Sequence, residues 1–205
     1  MEMLGSGGIG RFAVSSSPTD FGYVDVTIPR EDALRILGHA ISPGDQVAVR
    51  GPLGEFYFAP SSQSEPLFLI AAGVGVAPML SILRFLADTA NKTPCTLLCG
   101  ARTQADLLYH REWLALARQM PQLDYLVALT QPDPHREGPV GRIDVELVRS
   151  LVVDLPDRRC FLSGLGALTS SLVSDLSEAG VPLQHIHLDR RPAGAAPTST
   201  GMLSS

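Results

Sequence analysis

The sequence predicts an α/β fold, a doubly wound parallel sheet preceded by part of an antiparallel β-barrel. Three observations carry this. Residues 67–72, LFLIAA, form a continuous apolar run, as in a strand covered on both faces. From there to residue 188, apolar runs alternate with stretches of helical periodicity. Residues 11–60 instead hold short alternating patterns and one short helix-like segment.

In the first stretch, RFAVSSSP and YVDVTI read as strands, DALRIL as a short helix, and QVAVRGPLGEFYF as two further strands after a Pro43-Gly44-Asp45 turn. Closing a small barrel takes roughly six strands, so this stretch reads as part of one. The polar SSQSE at 61–65 separates it from the second stretch. After LFLIAA come the helix APMLSILRFLAD, strand TLLCGA, helix QADLLYHREWLALARQM, strand LDYLVAL and helix IDVELVRSLV. Strand CFLSG, helix ALTSSLVSDLSEAG and strand LQHIHL complete the series. The expected division is residues 1–62 as the partial barrel and 63–191 as the α/β domain, with 192–205 a disordered, Pro/Gly-rich tail.

Composition excludes several classes. The 205 residues are 45% hydrophobic and 18% charged, with a net charge of −5. That is an ordinary globular chain, and its acidity argues against nucleic acid or an anionic membrane as the main partner. No apolar run approaches the ~18 residues of a membrane span. No basic-then-apolar leader is visible, and the three cysteines (95, 99 and 160) form no C-x-x-C pair. Buried thiols in a reducing compartment, cytoplasm or mitochondrial matrix, are expected.

The chemistry concentrates at Gly73-Val74-Gly75-Val76-Ala77-Pro78, where LFLIAA runs directly into a helix. In an open parallel sheet, ligands bind beyond the carboxyl ends of the strands. A helix N-terminus there offers free N–H groups and a positive dipole end to a pyrophosphate. Glycines allow close approach, and Pro78 fits the first helical turn. A tight turn without ligand is the competing explanation. The second strand ends in Gly100-Ala101-Arg102-Thr103, with no acid at its tip. Arg102 there leans the cofactor toward NADP over NAD, against the alternative of a plain surface arginine. His185 and His187 alternate like ligands on one strand face, but no third ligand is evident, so no metal is expected. Tyr109 and Trp113 read as packing residues, and Ser16, His110 and Asp106 make no hydrolase arrangement.

LFLIAAGVGVAPMLSILRFL, with GPLGEFYF upstream and LLCGARTQADLLYHREWLAL downstream, resembles the ferredoxin–NADP reductase superfamily over residues 11–191. Within it the chain looks most like the oxidoreductase NAD-binding domain-containing proteins. The resemblance implies an FAD-binding barrel of the ferredoxin-reductase type, its N-terminal strands missing here, and an NAD(P)-binding domain. It implies hydride passing from nicotinamide to flavin and electrons to an acceptor protein or small molecule. Gly73 to Pro78 would hold the pyrophosphate and Arg102 the adenosine end. Ser163-Gly164-Leu165 stands at the family's Cys-Gly-Pro motif, with Ser163 the catalytic position facing the nicotinamide. Phe12, Ser15, Ser16 and Ser17 would contribute to the flavin site.

The sequence departs from the family at the flavin motif Arg-x-Tyr-Ser, where Gly10, Phe12 and Ala13 stand, with Arg11 one place out of register. Glu31 and Asp32 occupy a helix start that the family places near the flavin phosphates. Arg191 stands where an aromatic often covers the flavin, and Asp189 keeps an acidic position. A catalytically silent NAD(P)-binding module that has lost flavin is therefore the second expectation.

Overall fold

The computed structural model describes residues 1–5, 8–39, 41–60, 65–166 and 168–189. The expected tail at 192–205 lies outside them, as does Arg191.

Strands β1 (Glu2–Gly5), β2 (Gly8–Arg11) and β3 (Ala48–Arg50) form an antiparallel sheet in the order β2-β1-β3. Met3 pairs with Gly10 on one side and Val49 on the other. Helix α1 (Arg30–Leu37) packs on this sheet and ends at Gly38, whose φ of 77° lets its N–H reach the Leu34 carbonyl at 2.9 Å. Glycine on the strands makes that packing possible. A Cβ on Gly5 would lie 2.3 Å from the Ile36 carbonyl oxygen, and one on Gly10 would lie 2.1 Å from Ile36 Cδ1. The core enclosed is small: Met3, Phe12, Ile36 and Leu37.

Three expectations change here, the first being that RFAVSSSP is no strand: only Arg11 of it lies in β2. YVDVTI does not form a strand; a single antiparallel bridge, Val14 to Val26, is all the ladder this stretch makes. Tyr23 and Val24 are exposed, so the alternation is not that of a half-buried strand. EFYF also stays out of the sheet, and Phe56 and Phe58 pack edge-on against Phe161 of the second half instead. The hairpin β1–β2 falls in residues that the glycine-rich start of the chain did not mark as strands.

The second half alternates strictly. β4 (Leu67–Ala72), α2 (Val76–Asp88), β5 (Cys95–Ala101), α3 (His110–Gln119) and β6 (Leu123–Leu129) come first. α4 (Val145–Leu151), β7 (Arg159–Ser163), α5 (Leu168–Glu178) and β8 (Ile186–Leu188) complete it. The five strands are all parallel, in the order β6-β5-β4-β7-β8. Leu67, Leu69 and Ala71 face one core with Met79, Leu83, Trp113 and Leu116 of α2 and α3. Phe68 and Ile70 face the other, with Val148 of α4 and Leu172 and Leu176 of α5. Each Leu, Ile, Val, Phe or Met side chain among these, where fully buried, contributes about 1.5–3 kcal/mol. Helix α3 starts six residues later than its periodicity suggested. Thr103 and Asp106 form a capping box around a 3-10 turn at Gln104–Asp106 and stop the helix from extending back. LQHIHL likewise divides, with a 3-10 turn at Leu183–His185 before the short strand β8.

Candidate functional site

The chain runs outward from β4 to β6, then returns to β7 on the other side of β4. That reversal places the topological switch point, and hence the ligand crevice of such a sheet, between the carboxyl ends of β4 and β7. The loops meeting there are Gly73–Gly75 and Ser163–Gly166. Gly73–Gly75 makes one 3-10 turn that runs without a break into α2, and no side chain caps the helix. The Val76 N–H closes this turn on the Gly73 carbonyl, so the N–H groups ahead of the helical bonding are those of Gly73 to Gly75. Val76, Ala77 and Pro78 form the first turn of α2 and are buried.

The two loops touch backbone to backbone. A Cβ on Gly75 would lie 2.5 Å from Gly164 N and Cα, and a Cβ on Gly164 would lie 2.0 Å from the Ala72 carbonyl oxygen. Gly164 also holds φ at 75°. Gly73 is different: its φ is 52°, yet nothing stands within 4 Å of where a Cβ would be. One glycine pair brings the loops together, and the third leaves open space at the mouth.

On the β7 side, Ser163 is buried and its Oγ donates to Asp189 Oδ2 at 2.7 Å. The Asp189 N–H in turn donates to the Leu162 carbonyl at 3.0 Å, so the serine ties the end of β7 to the chain beyond β8. Gly164 lies at the crevice. Leu165, expected beside it as a cofactor contact, belongs to the apolar core with Ile143 and Leu172. Just beyond β5, Arg102 is exposed and its Nε lies 3.4 Å from Asp106 Oδ2. The Thr103 hydroxyl and N–H hold Asp106 at 2.8 and 3.0 Å. Those bonds, the hydroxyl first, keep its carboxyl below the usual range, with Arg102 adding to the effect. Arg102 also accepts the Gln131 N–H on its carbonyl at 2.8 Å, which joins the loops after β5 and β6.

The residues expected at the flavin are all buried. Phe12 is a core side chain, 6% exposed among Met3, Ile36 and Leu37, so its ring has no free face for stacking. Gly10 leaves the room that the Phe12 ring fills. Ser15, Ser16 and Ser17 are all buried, an unusual run for hydroxyl side chains. Ser16 Oγ accepts from the Asp25 N–H at 3.1 Å and Ser17 Oγ lies 2.6 Å from Thr19 Oγ1. These hydroxyls face into the protein and Ser16 and Ser17 are engaged within their own segment, so neither they nor the Phe12 ring presents a free face to a flavin. Elsewhere, Tyr109 and Trp113 pack edge-on at 6.3 Å, and the His187 ring stacks on Phe161 at 4.5 Å. Burial, then Arg159 and His185, holds the His187 pKa below its ordinary value. No metal-ligating cluster occurs among the described residues. The three thiols are buried and free, and burial pushes each up to about 12, which leaves them unreactive.

Residues 69–171 match the family profile described as "Oxidoreductase NAD-binding domain". A ferredoxin–NADP reductase B of Sorangium cellulosum is 31% identical over 188 residues, covering 87% of this chain and 76% of that protein. The chain belongs to the ferredoxin–NADP reductase superfamily. The reductase component of a propane 2-monooxygenase from Rhodococcus jostii is 29% identical over 87% of the chain and 50% of its own length. The chain thus spans between about half and three quarters of these relatives. Among solved structures, an Amycolatopsis cytochrome P450 reductase superposes with a TM-score of 0.79 at 21% identity, covering 91% of this chain and 58% of that one. The FAD/NAD-binding domain of a nitric oxide dioxygenase from Vibrio cholerae superposes at 0.77 and 21% identity, over 92% of this chain and 81% of that one. Superfamily members are NAD(P)H-dependent flavoprotein reductases that use FAD, and the antiparallel and parallel sheets here match their two domains. Among the described residues no helix is long and apolar enough to cross a membrane.

Two contacts near these loops escaped the sequence reading. The seating of Gly75 on Gly164 depends on the β4–β7 register, Ala71 opposite Ser163, which no local pattern reports. Asp106 did carry a signal, the Thr-x-x-Asp spacing of a capping box.

Proposed function

We propose that this chain is the NAD(P)H-binding part of a flavoprotein oxidoreductase that hands electrons to an acceptor protein or a small-molecule acceptor. The observation carrying this reading is the contact of Gly75 with Gly164 at the switch point, beside an uncapped helix start. Gly73 to Ala77, with Pro78 shaping the turn, bind the pyrophosphate through backbone N–H groups and the dipole of α2. Gly164 lets the β7 loop close onto Gly75, and Ser163, fixed by Asp189, positions that loop where it borders the nicotinamide. Arg102 lies at the adenosine end, where its charge favours a 2′-phosphate and its pairing with Asp106 works against one. The flavin, when bound, supplies two-electron acceptance and onward one-electron transfer. Ser15 to Ser17 belong to the segment that borders it. Residues 1–62 and 63–191 are the working division into flavin and nucleotide domains. Three unreactive buried thiols suit a reducing compartment, cytoplasm or mitochondrial matrix.

Calorimetric titration of the chain with NADPH and with NADH tests the reading directly, and micromolar binding of at least one is expected. Anaerobic addition of the bound nucleotide to protein reconstituted with FAD is expected to bleach the flavin absorbance. Absence of binding by either nucleotide sinks the proposal. Binding without bleaching points to the second reading, a silent NAD(P)-binding module, which the core position of Phe12 favours.

A further inference from the structure

The two halves also meet on a polar seat formed by α2 and α3, away from the crevice. Arg84 on α2 is its centre, with a side chain 24% exposed. Its Nη1 donates to the Ser15 carbonyl at 2.9 Å and lies 3.2 Å from Asp25 Oδ2, while its Nε donates to Glu112 Oε1 of α3 at 2.7 Å. One turn further along α2, Asp88 accepts from Thr19 Oγ1 at 2.5 Å. At the entrance to α3, the hydroxyls of Tyr109 and Thr27 lie 2.6 Å apart. Segment 15–27 is therefore fastened to the second half at three places, whereas the Val14–Val26 bridge is its one β-bridge within its own half among the described residues.

Two further features mark this seat as built. Tyr109 holds a left-handed φ of 59°, a conformation that a bulky residue keeps only where its surroundings over-determine it. The surroundings here are the Thr27 hydroxyl and the edge of Trp113. Arg84 also serves three acceptors at once, two on segment 15–27 and one on α3, in the fixed planar fork that a guanidinium has and an ammonium lacks. Burial opposes its charge, but Glu112 and then Asp25 outweigh that and keep it cationic.

The contact to Ser15 gives the seat its meaning, and this step rests on the function proposed above. We propose that Arg84 is a positioning residue that sets the Ser15–Ser17 segment, on the flavin side, in register with the Gly75–Gly164 crevice. It touches neither cofactor. It acts through the Ser15 carbonyl on one side and α2, which begins at the glycine loop, on the other.

The test compares wild type, Arg84→Ala and Arg84→Lys in three titrations: FAD by fluorescence quenching, NADP⁺ or NAD⁺ by calorimetry, and oxidised nucleotide into FAD-saturated protein by difference absorbance. Arg84→Ala is expected to bind nucleotide within about twofold of wild type and FAD at least tenfold more weakly. With both sites saturated, its difference spectrum is expected to fall below half the wild-type amplitude, because the two rings no longer meet in register. Arg84→Lys, keeping charge but not the fork, is expected to fall between. Wild-type FAD affinity and amplitude in Arg84→Ala overturn the proposal, as does an equal loss of both ligands, which marks a merely structural role. A wild-type chain that binds nucleotide but no FAD overturns it too while leaving nucleotide binding intact. Failure of the nucleotide titration in wild type is the separate failure of the parent reading.

Discussion

In the second half, Leu67, Phe68, Leu69, Ile70 and Ala71 of β4 are completely buried, whereas Ala48, Val49 and Arg50 of β3 are all exposed. The parallel sheet is covered on both faces by helices. The antiparallel sheet is covered by α1 on one face and encloses four buried side chains. What holds the first half in place is therefore its attachment to the second: the Arg84 seat, and Phe56 and Phe58 against Phe161 and Phe85. The α/β half can hold a site rigidly by itself, while the first half takes its position from its neighbour.

The strongest way to break this comparison is to open each core in turn. Trp113→Ala removes a completely buried side chain and leaves the Leu108 carbonyl without its indole donor, now at 2.9 Å. A loss of about 3–5 kcal/mol is expected, read from urea unfolding. Phe12→Ala is expected to cost no less in its own cluster, but with a different reach. In native-state hydrogen exchange, amides of β1 to β3 should lose protection while those of β4, β5 and β7 keep theirs. Joint loss would show one cooperative unit and end the distinction.

The glycine crevice sharpens the comparison next. Gly164→Ala combines a φ of 75° with a contact of 2.0 Å to the Ala72 oxygen, so β7 and β4 must part at the crevice. NAD(P)H affinity is expected to drop at least tenfold, which is about 1.4 kcal/mol. Gly73→Ala meets no neighbour and adds only left-handed strain, about 1–2 kcal/mol, at φ 52°. Its affinity loss should be clearly smaller by calorimetry. Equal losses would mean that conformation, not the approach of the two loops, makes the site.

The same asymmetry governs how much the sequence could tell. The order from β4 to β8 was legible because burial on two faces leaves long apolar runs, and helices covering a sheet must show a stripe. The loop at Gly73 to Pro78 lies at the β4–α2 junction where that pattern put it. In the first half, Gly5 and Gly10 serve the approach of α1, so β1 and β2 carry glycines where strand residues are looked for. YVDVTI shows alternation without forming a strand, because its contacts are polar ties such as Thr27 to Tyr109 rather than a ladder. Arg84 to Ser15 and Ser163 to Asp189 join residues 69 and 26 positions apart, and nothing in local spacing announces them.

Ser163→Ala gives a smaller effect. It removes a bond to a carboxylate, for which about 1.5–3 kcal/mol is usual, partly recovered because Asp189 keeps other ties. If Ser163 acts only by tethering the β7 loop, the rate of flavin reduction at saturating NAD(P)H should change less than threefold while KM rises. A large fall in that rate with KM unchanged would assign the hydroxyl to the chemistry itself.

The smallest expected effect separates the halves by acid. Glu2 on β1 is 3% exposed, with one oxygen 2.9 Å from Arg11 Nε on β2 and the other 2.6 Å from Arg50 Nη2 on β3. This triad is the cross-strand tie of the antiparallel sheet. The Arg11 hydrogen bond, with Arg50 helping, keeps the Glu2 carboxyl below its ordinary value against the effect of burial. A carboxyl depressed in the folded state binds fewer protons there than in the unfolded chain, so its contribution is present above the unfolded value, about 4.3, and fades as pH falls through the folded one. Exchange protection of β1 to β3 should therefore decline from about pH 4.5 downward, and Glu2→Gln should remove that slope while lowering protection at neutral pH. An unchanged slope in Glu2→Gln would place the acid sensitivity of this sheet outside the triad and end its role as the cross-strand tie.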